Sequence, residues 1–449
     1  MPKVTLMGAG SGFTPRLFCD IMQIPDLDGG VIGLVDVDSE RLKLSAGVLK
    51  IIARKLGKDK AWKIEASTSR RKVLPGTDYL INCIEVSGIK TVRHDYQIAR
   101  KYGVDQCIGD TTGPGGIMKA LRTIPHWLQI VRDAEELCPK ALILNYTNPM
   151  SMMSFATVRS TDMQYVGLCH SVQGTSKLLA RYAGVPYEEM DWCCGGINHM
   201  AWFTVLEHKG VNLYDVINRK LDRRAKLNGK LMFKHDAVRF DLMRHFGYFN
   251  TESSGHMSEY VPYYRKREKL IDTYCSGRYL GGRGFYAREW PKWRRATDRS
   301  RAKIIAGKED VSVGRSHEFA CRIIEAHLKN RPDVIHGSVE NRGLIDNLPA
   351  EGVVEVEVMV DKMGYHPCKF GPLPPQVAAL CDSNMRSFEC AVKSILTEDA
   401  DLALHALLLD PLTAAVCCPA EIKKMFLELL RAERTFMPKY LTRGLKKKT

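Results

Sequence analysis

The fourteen cysteines of this 449-residue chain form no CxxC motif. No apolar run approaches the roughly 18 residues a membrane-spanning helix needs. No early segment joins a basic stretch, an apolar run and a small-residue cleavage site, as a secretory leader would. The chain also lacks internal repeats and low-complexity linkers. Each absence removes a class. A chain this long is not a small secreted scaffold, so a disulfide framework is not expected, and Cys193-Cys194 and Cys417-Cys418 are read as ordinary thiols. Most of the cysteines are expected to be small buried hydrophobes. The chain is expected to be a cytoplasmic protein with no membrane partner.

What is present is a globular composition, 45% hydrophobic and 26% charged. The net charge of +15 is concentrated in two runs. One spans Arg219, Lys220, Arg223, Arg224, Lys226, Lys230 and Lys234; the other spans Arg288, Lys292, Arg294, Arg295, Arg299, Arg301 and Lys303. Such runs serve nucleic-acid binding, a solvated helical face, or a funnel for anionic substrates. No nucleic-acid-binding module accompanies them, so no nucleic-acid partner is expected. Lys446-Lys447-Lys448 is read as a frayed tail.

The first half alternates short apolar runs with helix-like stretches. The runs are Val4–Met7, Val31–Val35, Tyr79–Ile84, Ala141–Asn145 and Tyr165–Leu168. Continuous apolar strands alternating with helices predict an α/β fold, a doubly wound parallel sheet covered on both faces. Ligands bind beyond the carboxyl ends of such strands, where the sequence places Gly8-Ala9-Gly10-Ser11-Gly12, Asp36, Asn148, Cys169 and His170. Gly8 and Gly10 match the first two glycines of the dinucleotide fingerprint, and Phe13 stands at the third. Thr14-Pro15 starts a helix after them. Asp36 ends the second strand, where an acidic residue holds the ribose hydroxyls of NAD; the plainer reading is a turn aspartate. The second half is less regular. Residues 215–335 read as basic and helix-rich. Val353–Val360 alternates valine with Glu355 and Glu357, which predicts a half-exposed strand. Helices are expected from Pro375 to Tyr440.

Two segments about thirty residues apart carry metal-ligand side chains. Gly167-Leu168-Cys169-His170-Ser171-Val172 and Gly195-Gly196-Ile197-Asn198-His199 each read as a strand that breaks at a donor. One thiolate and one imidazole are too few for a closed structural zinc, which takes four ligands, but they suit an open site completed by substrate oxygens or water. The plainer reading is a core cysteine and a loop histidine.

Several longer motifs occur in a fixed order: Gly8-Ala9-Gly10-Ser11, Gly109-Asp110-Thr111-Thr112-Gly113-Pro114-Gly115-Gly116, Asn145-Tyr146-Thr147-Asn148-Pro149-Met150, Cys169-His170-Ser171-Val172-Gln173-Gly174-Thr175, Gly196-Ile197-Asn198-His199-Met200-Ala201, and Gly343-Leu344-Ile345-Asp346-Asn347-Leu348-Pro349. In these the chain resembles glycoside hydrolase family 4, the NAD- and manganese-dependent glycosidases, along nearly its whole length. Cys-His-Ser-Val points to the α-galactosidase branch, with α-galacturonidases similar there. The resemblance implies a Rossmann-like NAD-binding domain over residues 1–195 and a C-terminal α+β substrate, metal and oligomerisation domain over 196–449, in a homodimer or homotetramer. It implies oxidation of the sugar at C3, elimination across C1–C2 and addition of water. This family stands apart from paired-carboxylate glycosidases. By motif, Gly8, Gly10, Ser11 and Asp36 would bind NAD, Cys169 and His199 would hold Mn2+, and Asn148 would bind the sugar. His170 would be the general acid, and Tyr260 would take the C2 proton, with Glu252 as the alternative base. A plain NAD-dependent hydroxy-acid dehydrogenase would share the glycine loop and Asp36 without needing Cys169 and His199.

Overall fold

The computed structural model describes residues 1–228, 234–275, 277–278, 281–316, 318–443 and 445. Lys230 of the first basic run and the terminal Lys446–Lys448 lie outside the described residues. Thirteen strands among the described residues form one sheet. They are β1 (Lys3–Met7), β2 (Gly30–Val35), β3 (Trp62–Ser67), β4 (Tyr79–Asn82), β5 (Leu142–Asn145), β6 (Tyr165–Gly167), β7 (Asp191–Ile197), β8 (Met200–His208), β9 (Val211–Asn212), β10 (Phe249–Asn250), β11 (Asp333–Glu340), β12 (Val353–Asp361) and β13 (Gly364–Pro367). The lateral order is β10-β8-β7-β12-β11-β6-β5-β4-β1-β2-β3, with β13 on β12 and β9 on β8.

The last six strands of that path are parallel. Their order, 3-2-1-4-5-6, is that of the dinucleotide-binding fold, whose ligand crevice opens where the order reverses, between β1 and β4. Their composition explains their place: Tyr79–Asn82 and Leu142–Asn145 are buried at every residue, as strands covered on both faces must be. The edge strand β3 was not legible in the sequence, because Trp-Lys-Ile-Glu-Ala-Ser mixes charge into a short run. The helix Thr14–Met22 begins where the Thr14-Pro15 signal places it.

Beyond β6 the sheet turns antiparallel and takes in the second half of the chain. β11 pairs with β6 through Ser338 and Gly167, and β12 pairs with β7 through Glu355 and Gly196. The strand expected to be half-exposed is therefore interior. Glu355 is fully buried, and the helices Met150–Val158 and Phe319–Lys329 pack on β12. The alternation that reads as one wet face instead aims a carboxyl under the loops that carry Cys169 and His199. The region 215–335 is helical as expected, with Leu213–Asn228, Ala237–Phe246, Ser254–Tyr260, Phe285–Ile305 and Phe319–Lys329. Among the described residues no helix is long and apolar enough to cross a membrane.

A buried ion cluster ties the two ends of the chain. Arg122, on the helix Gly113–Leu137, donates to Asp95 at 2.7 Å and to Glu433 at 3.0 Å. All three side chains are nearly solvent-free. Removing one member of such a cluster strands charges in low dielectric. Arg122→Ala is expected to destabilise the fold by about 3–5 kcal/mol, read as a lower guanidinium unfolding midpoint. An unchanged midpoint would show that the cluster carries no load.

Candidate active site

The site lies at the carboxyl ends of β1, β2, β4, β5 and β6, along a crevice of about 980 Å³. Gly8, Ser11 and Asp36 line one end, and Asn148, Asp110, Lys119 and Tyr286 line the other. Gly8 sits at φ +79°, and a Cβ there would come 2.4 Å from the Cys83 carbonyl oxygen, so the turn requires glycine. Gly10 donates its N–H to Asp36 at 2.7 Å. The loop then enters the helix Thr14–Met22, whose N-terminus suits a diphosphate. Phe13, in place of the third glycine, stacks on Tyr146 at 5.5 Å and on His170 at 6.0 Å. The missing glycine is thus replaced by an aromatic wall.

Cys169 lies just past β6, and His199 sits at the tip of the β7–β8 hairpin. His199 has φ +65°, a left-handed conformation uncommon for a non-glycine residue and worth a functional question. The hairpin brings the imidazole into hydrogen-bond contact with the Cys169 thiol. Burial resists ionisation of that thiol, but the charge and hydrogen bond of His199 pull it down to about 7. Burial likewise disfavours a charged His199, yet Glu252 and Cys169 raise it to about 10. β10 pairs with β8, and Thr251 donates its N–H to the Ala201 carbonyl at 2.9 Å, which places Glu252 3.5 Å from His199 Nε2. The Tyr260 hydroxyl lies 3.4 Å from His199 Nδ1. Burial pushes the Tyr260 phenol well above its ordinary value, whereas His199 and His256 hold Glu252 below its own against the cost of burial. The carboxyl of Glu355 lies beneath the pair, pushed well above the carboxylate range by burial and by Cys169.

This donor set fits a divalent cation, because a thiol drawn toward thiolate and an imidazole meet among surplus acids. Among the described residues no three His, Cys, Asp or Glu side chains are arranged to hold a metal by themselves. The pair leaves positions open for substrate oxygens.

His170 is half-buried, and its Nε2 lies 2.5 Å from Glu318 Oε2. That hydrogen bond raises the imidazole above its usual range, against the cost of burial. Asn148 donates to Asp110 at 3.4 Å. Lys119 lies 2.9 Å from Glu85 and 3.6 Å from Asp110. Burial opposes ionisation of Asp110, but Lys119, His256 and His199 hold it below the usual carboxylate range.

The structure thus brings Asn148, Cys169, His170, His199, Glu252 and Tyr260 into one neighbourhood, with Gly8, Gly10, Ser11 and Asp36 at the nucleotide end. Sequence reading did not assign Asp110, Lys119, His256, Glu259 or Glu318. Asp110 stands in the Gly109–Gly116 motif and so carries a local signal; Glu318, 148 residues from His170, carries none. Of the arginines in the second half, Arg283 pairs with Asp272 at 2.9 Å, and Arg288 donates to the Arg283 carbonyl. Neither they nor Arg278 line the crevice.

The profile described as Family 4 glycosyl hydrolase matches residues 3–185, and that of its C-terminal domain matches residues 194–413. An α-galactosidase of Rhizobium meliloti (strain 1021) is 36% identical over 450 residues, covering 98% of this chain and 89% of the relative. The chain belongs to the family 4 glycosyl hydrolases. An α-galactosidase of Bacillus subtilis (strain 168) is likewise 36% identical over 444 residues, covering 98% of this chain and 100% of the relative. Among solved structures, a putative glucosidase, lplD, from Bacillus subtilis superposes with a TM-score of 0.83 at 26% identity, covering 96% of this chain and 100% of that one. A 6-phospho-α-glucosidase from gut microorganisms, solved in complex with NAD and Mn2+, superposes at 0.80 and 19% identity over 97% and 99% of the two chains, and shares the fold.

Beneath this family 4 site, Glu259 braces the loop that carries Asp110. It accepts backbone N–H groups from Cys107, from Ile108 at 2.7 Å and from Gly109 at 3.0 Å, and it pairs with His256 at 3.1 Å. Glu259→Gln cannot satisfy all four donors, and an unsatisfied buried donor costs about 1–3 kcal/mol. The variant is expected to lower both the unfolding midpoint and, by at least tenfold, kcat/KM. Full activity with an unchanged midpoint would show that the loop holds itself.

Proposed function

We propose that this chain hydrolyses α-galactosides, with NAD and Mn2+ as its cofactors. The observation that carries the reading is the meeting of the nucleotide crevice with the Cys169–His199 pair around Asn148 and Asp110. When bound, NAD would supply reversible hydride chemistry at the sugar's C3, and the metal at Cys169 and His199 would supply Lewis acidity toward sugar oxygens. The chain's own residues do the rest. Asn148 and Asp110 orient the sugar hydroxyls. His170, its ring fixed by the Phe13 and Tyr146 stack and by Glu318, gives a proton to the leaving oxygen. Tyr260 would take the C2 proton as the phenolate, an ionisation that burial opposes and that a cation held at Cys169 and His199 would favour. A second reading gives that step to Glu252, which is favoured by its standing as a carboxylate beside His199.

A neutral sugar is supported by charge and by the names of the two relatives at 36% identity, while the relatives named α-galacturonidase are 26–28% identical. At the sugar end the lining lysine, Lys119, is already bracketed by Glu85 and Asp110 and is not free to hold a sugar carboxylate. Net charge argues little here, since salt screens steering over about 8 Å at physiological strength. Activity is expected on p-nitrophenyl α-galactoside with NAD, Mn2+ and thiol present, lost on removal of NAD and without net formation of NADH. A preference for the α-galacturonide that survives high salt would overturn the sugar assignment, and stoichiometric NADH would restore the dehydrogenase reading.

The C2 proton gives a separate test. Product formed in deuterated water is expected to carry deuterium at C2, and Tyr260→Phe to abolish both turnover and exchange. Exchange retained in Tyr260→Phe but lost in Glu252→Gln would move the base to Glu252. Product unlabelled at C2 in the wild type would exclude elimination altogether.

A further inference from the structure

The helix Phe285–Ile305 belongs to the second half of the chain, yet it reaches back over the nucleotide end of the crevice. It packs on the helix Ser39–Lys55, which follows Asp36. Trp290, Trp293, Arg294 and Thr297 line the same crevice as Gly8, Ser11 and Asp36. Three guanidiniums gather there. Arg301, only 2% exposed, donates to the Gly10 carbonyl at 2.9 Å and to the Ser11 carbonyl. Arg41 donates to the Gly10 carbonyl at 2.6 Å and to Asp298 at 3.0 Å. These two cations hold the glycine loop by its carbonyls, although the buried Nε of Arg301 has no partner among the described residues.

Arg294 differs. Among the described residues it has no hydrogen-bond or ion-pair partner. Its guanidinium lies 5.9 Å from the ring centre of Trp290. Its Nη1 sits over Gly88, where a Cβ would come within 2.7 Å of it; Gly88, at φ +58°, belongs to the loop after β4. Arg41 crowds Arg294, and the nearby acids Asp36, Asp298 and Glu85 act on it without a direct pairing, since Asp298 is bound to Arg41, Asp36 to the Gly10 N–H and Glu85 to Lys119. Burial and repulsion from Arg41 hold both Arg294 and Arg301 below the usual guanidinium range. A half-buried cation with no acceptor is costly unless an anion completes it. The loop after β4 and the glycine loop are the walls between which the diphosphate of a dinucleotide runs in this strand order. Asp36, at the ribose end, would repel a further phosphate there.

We propose that Arg294 is a diphosphate-binding residue for the dinucleotide, supplied across the crevice by the second half of the chain, while Arg301 positions the glycine loop that receives the same group. This rests on the nucleotide reading above. Calorimetric titrations of the full chain and of Arg294→Gln with NAD, ADP, NADP and adenosine separate the possibilities. Loss of a charge-assisted contact is expected to weaken NAD and ADP by about tenfold to a hundredfold, with adenosine unchanged and part of the affinity recovered in Arg294→Lys. Equal weakening of adenosine would assign Arg294 to packing, and weakening confined to NADP would move it to the ribose; either overturns the proposal. Unchanged NAD affinity in Arg294→Gln, with a wild type that binds, refutes Arg294 alone. A wild type that binds neither NAD nor ADP refutes the nucleotide reading and Arg294 with it.

Discussion

The contact between Cys169 and His199 is the constraint on which the rest of the centre depends. The two residues are thirty apart in sequence, but the strands that carry them are not neighbours. β6 and β7 are separated by β11 and β12, drawn from residues 333–361. At about 4.8 Å per strand, that is a span of roughly 14 Å across the sheet, and His199 meets Cys169 from the turn of the β7–β8 hairpin. One lateral row makes the arrangement plain: Gly167, Ser338, Glu355 and Gly196 lie side by side across four strands. The centre therefore forms only when the second half of the chain has threaded its hairpin between two strands of the first. Metal-ligand pairing and long-range sheet topology are one problem here.

Once that contact is made, the surrounding electrostatics follow a common pattern. Each histidine near the centre is paired with an acid: His199 with Glu252 and His170 with Glu318 from distant segments, and His256 with Glu259 one turn on in the helix Ser254–Tyr260. Lys119 is treated likewise by Glu85 and Asp110. In low dielectric an unpaired charge is expensive, so the pairs stabilise the site while fixing which ring nitrogen faces which neighbour. Acids gather near Cys169 and His199, and guanidiniums near the glycine loop. The crevice is thus polarised along its length, with one end suited to a cation and the other to an anion.

Much of this was legible in the sequence, for reasons that differ by element. The parallel strands were visible because burial on both faces demands unbroken apolar runs, as in Leu142–Asn145. The glycine loop, Asp36, Cys169 and Asn148 were visible because a ligand site in this fold must follow a strand end. The edge strand Trp62–Ser67 was hidden because half-exposure dilutes its apolar pattern. Glu355 was misread because alternation reports only that two faces differ, and it cannot report that the polar face points into a buried site. Glu318 and Glu259 were invisible because their partners are 148 and about 150 residues away, and no local periodicity encodes such a pairing.

The positive charge shows how a global quantity dissolves into local ones. Read as a total, +15 suggests nucleic acid, a steering field or an anionic sugar. Placed in the structure, the second basic run is a helix with two faces. Lys292 pairs locally with Glu289, one turn back. Arg294 and Arg301 turn inward to the crevice and the glycine loop. The sign of the charge therefore speaks about the cofactor end of the site, where phosphates would lie, and not about the sugar end, where Lys119 is already neutralised. A net positive charge therefore carries no information about the sugar when the arginines of this run that reach the crevice lie beside the glycine loop.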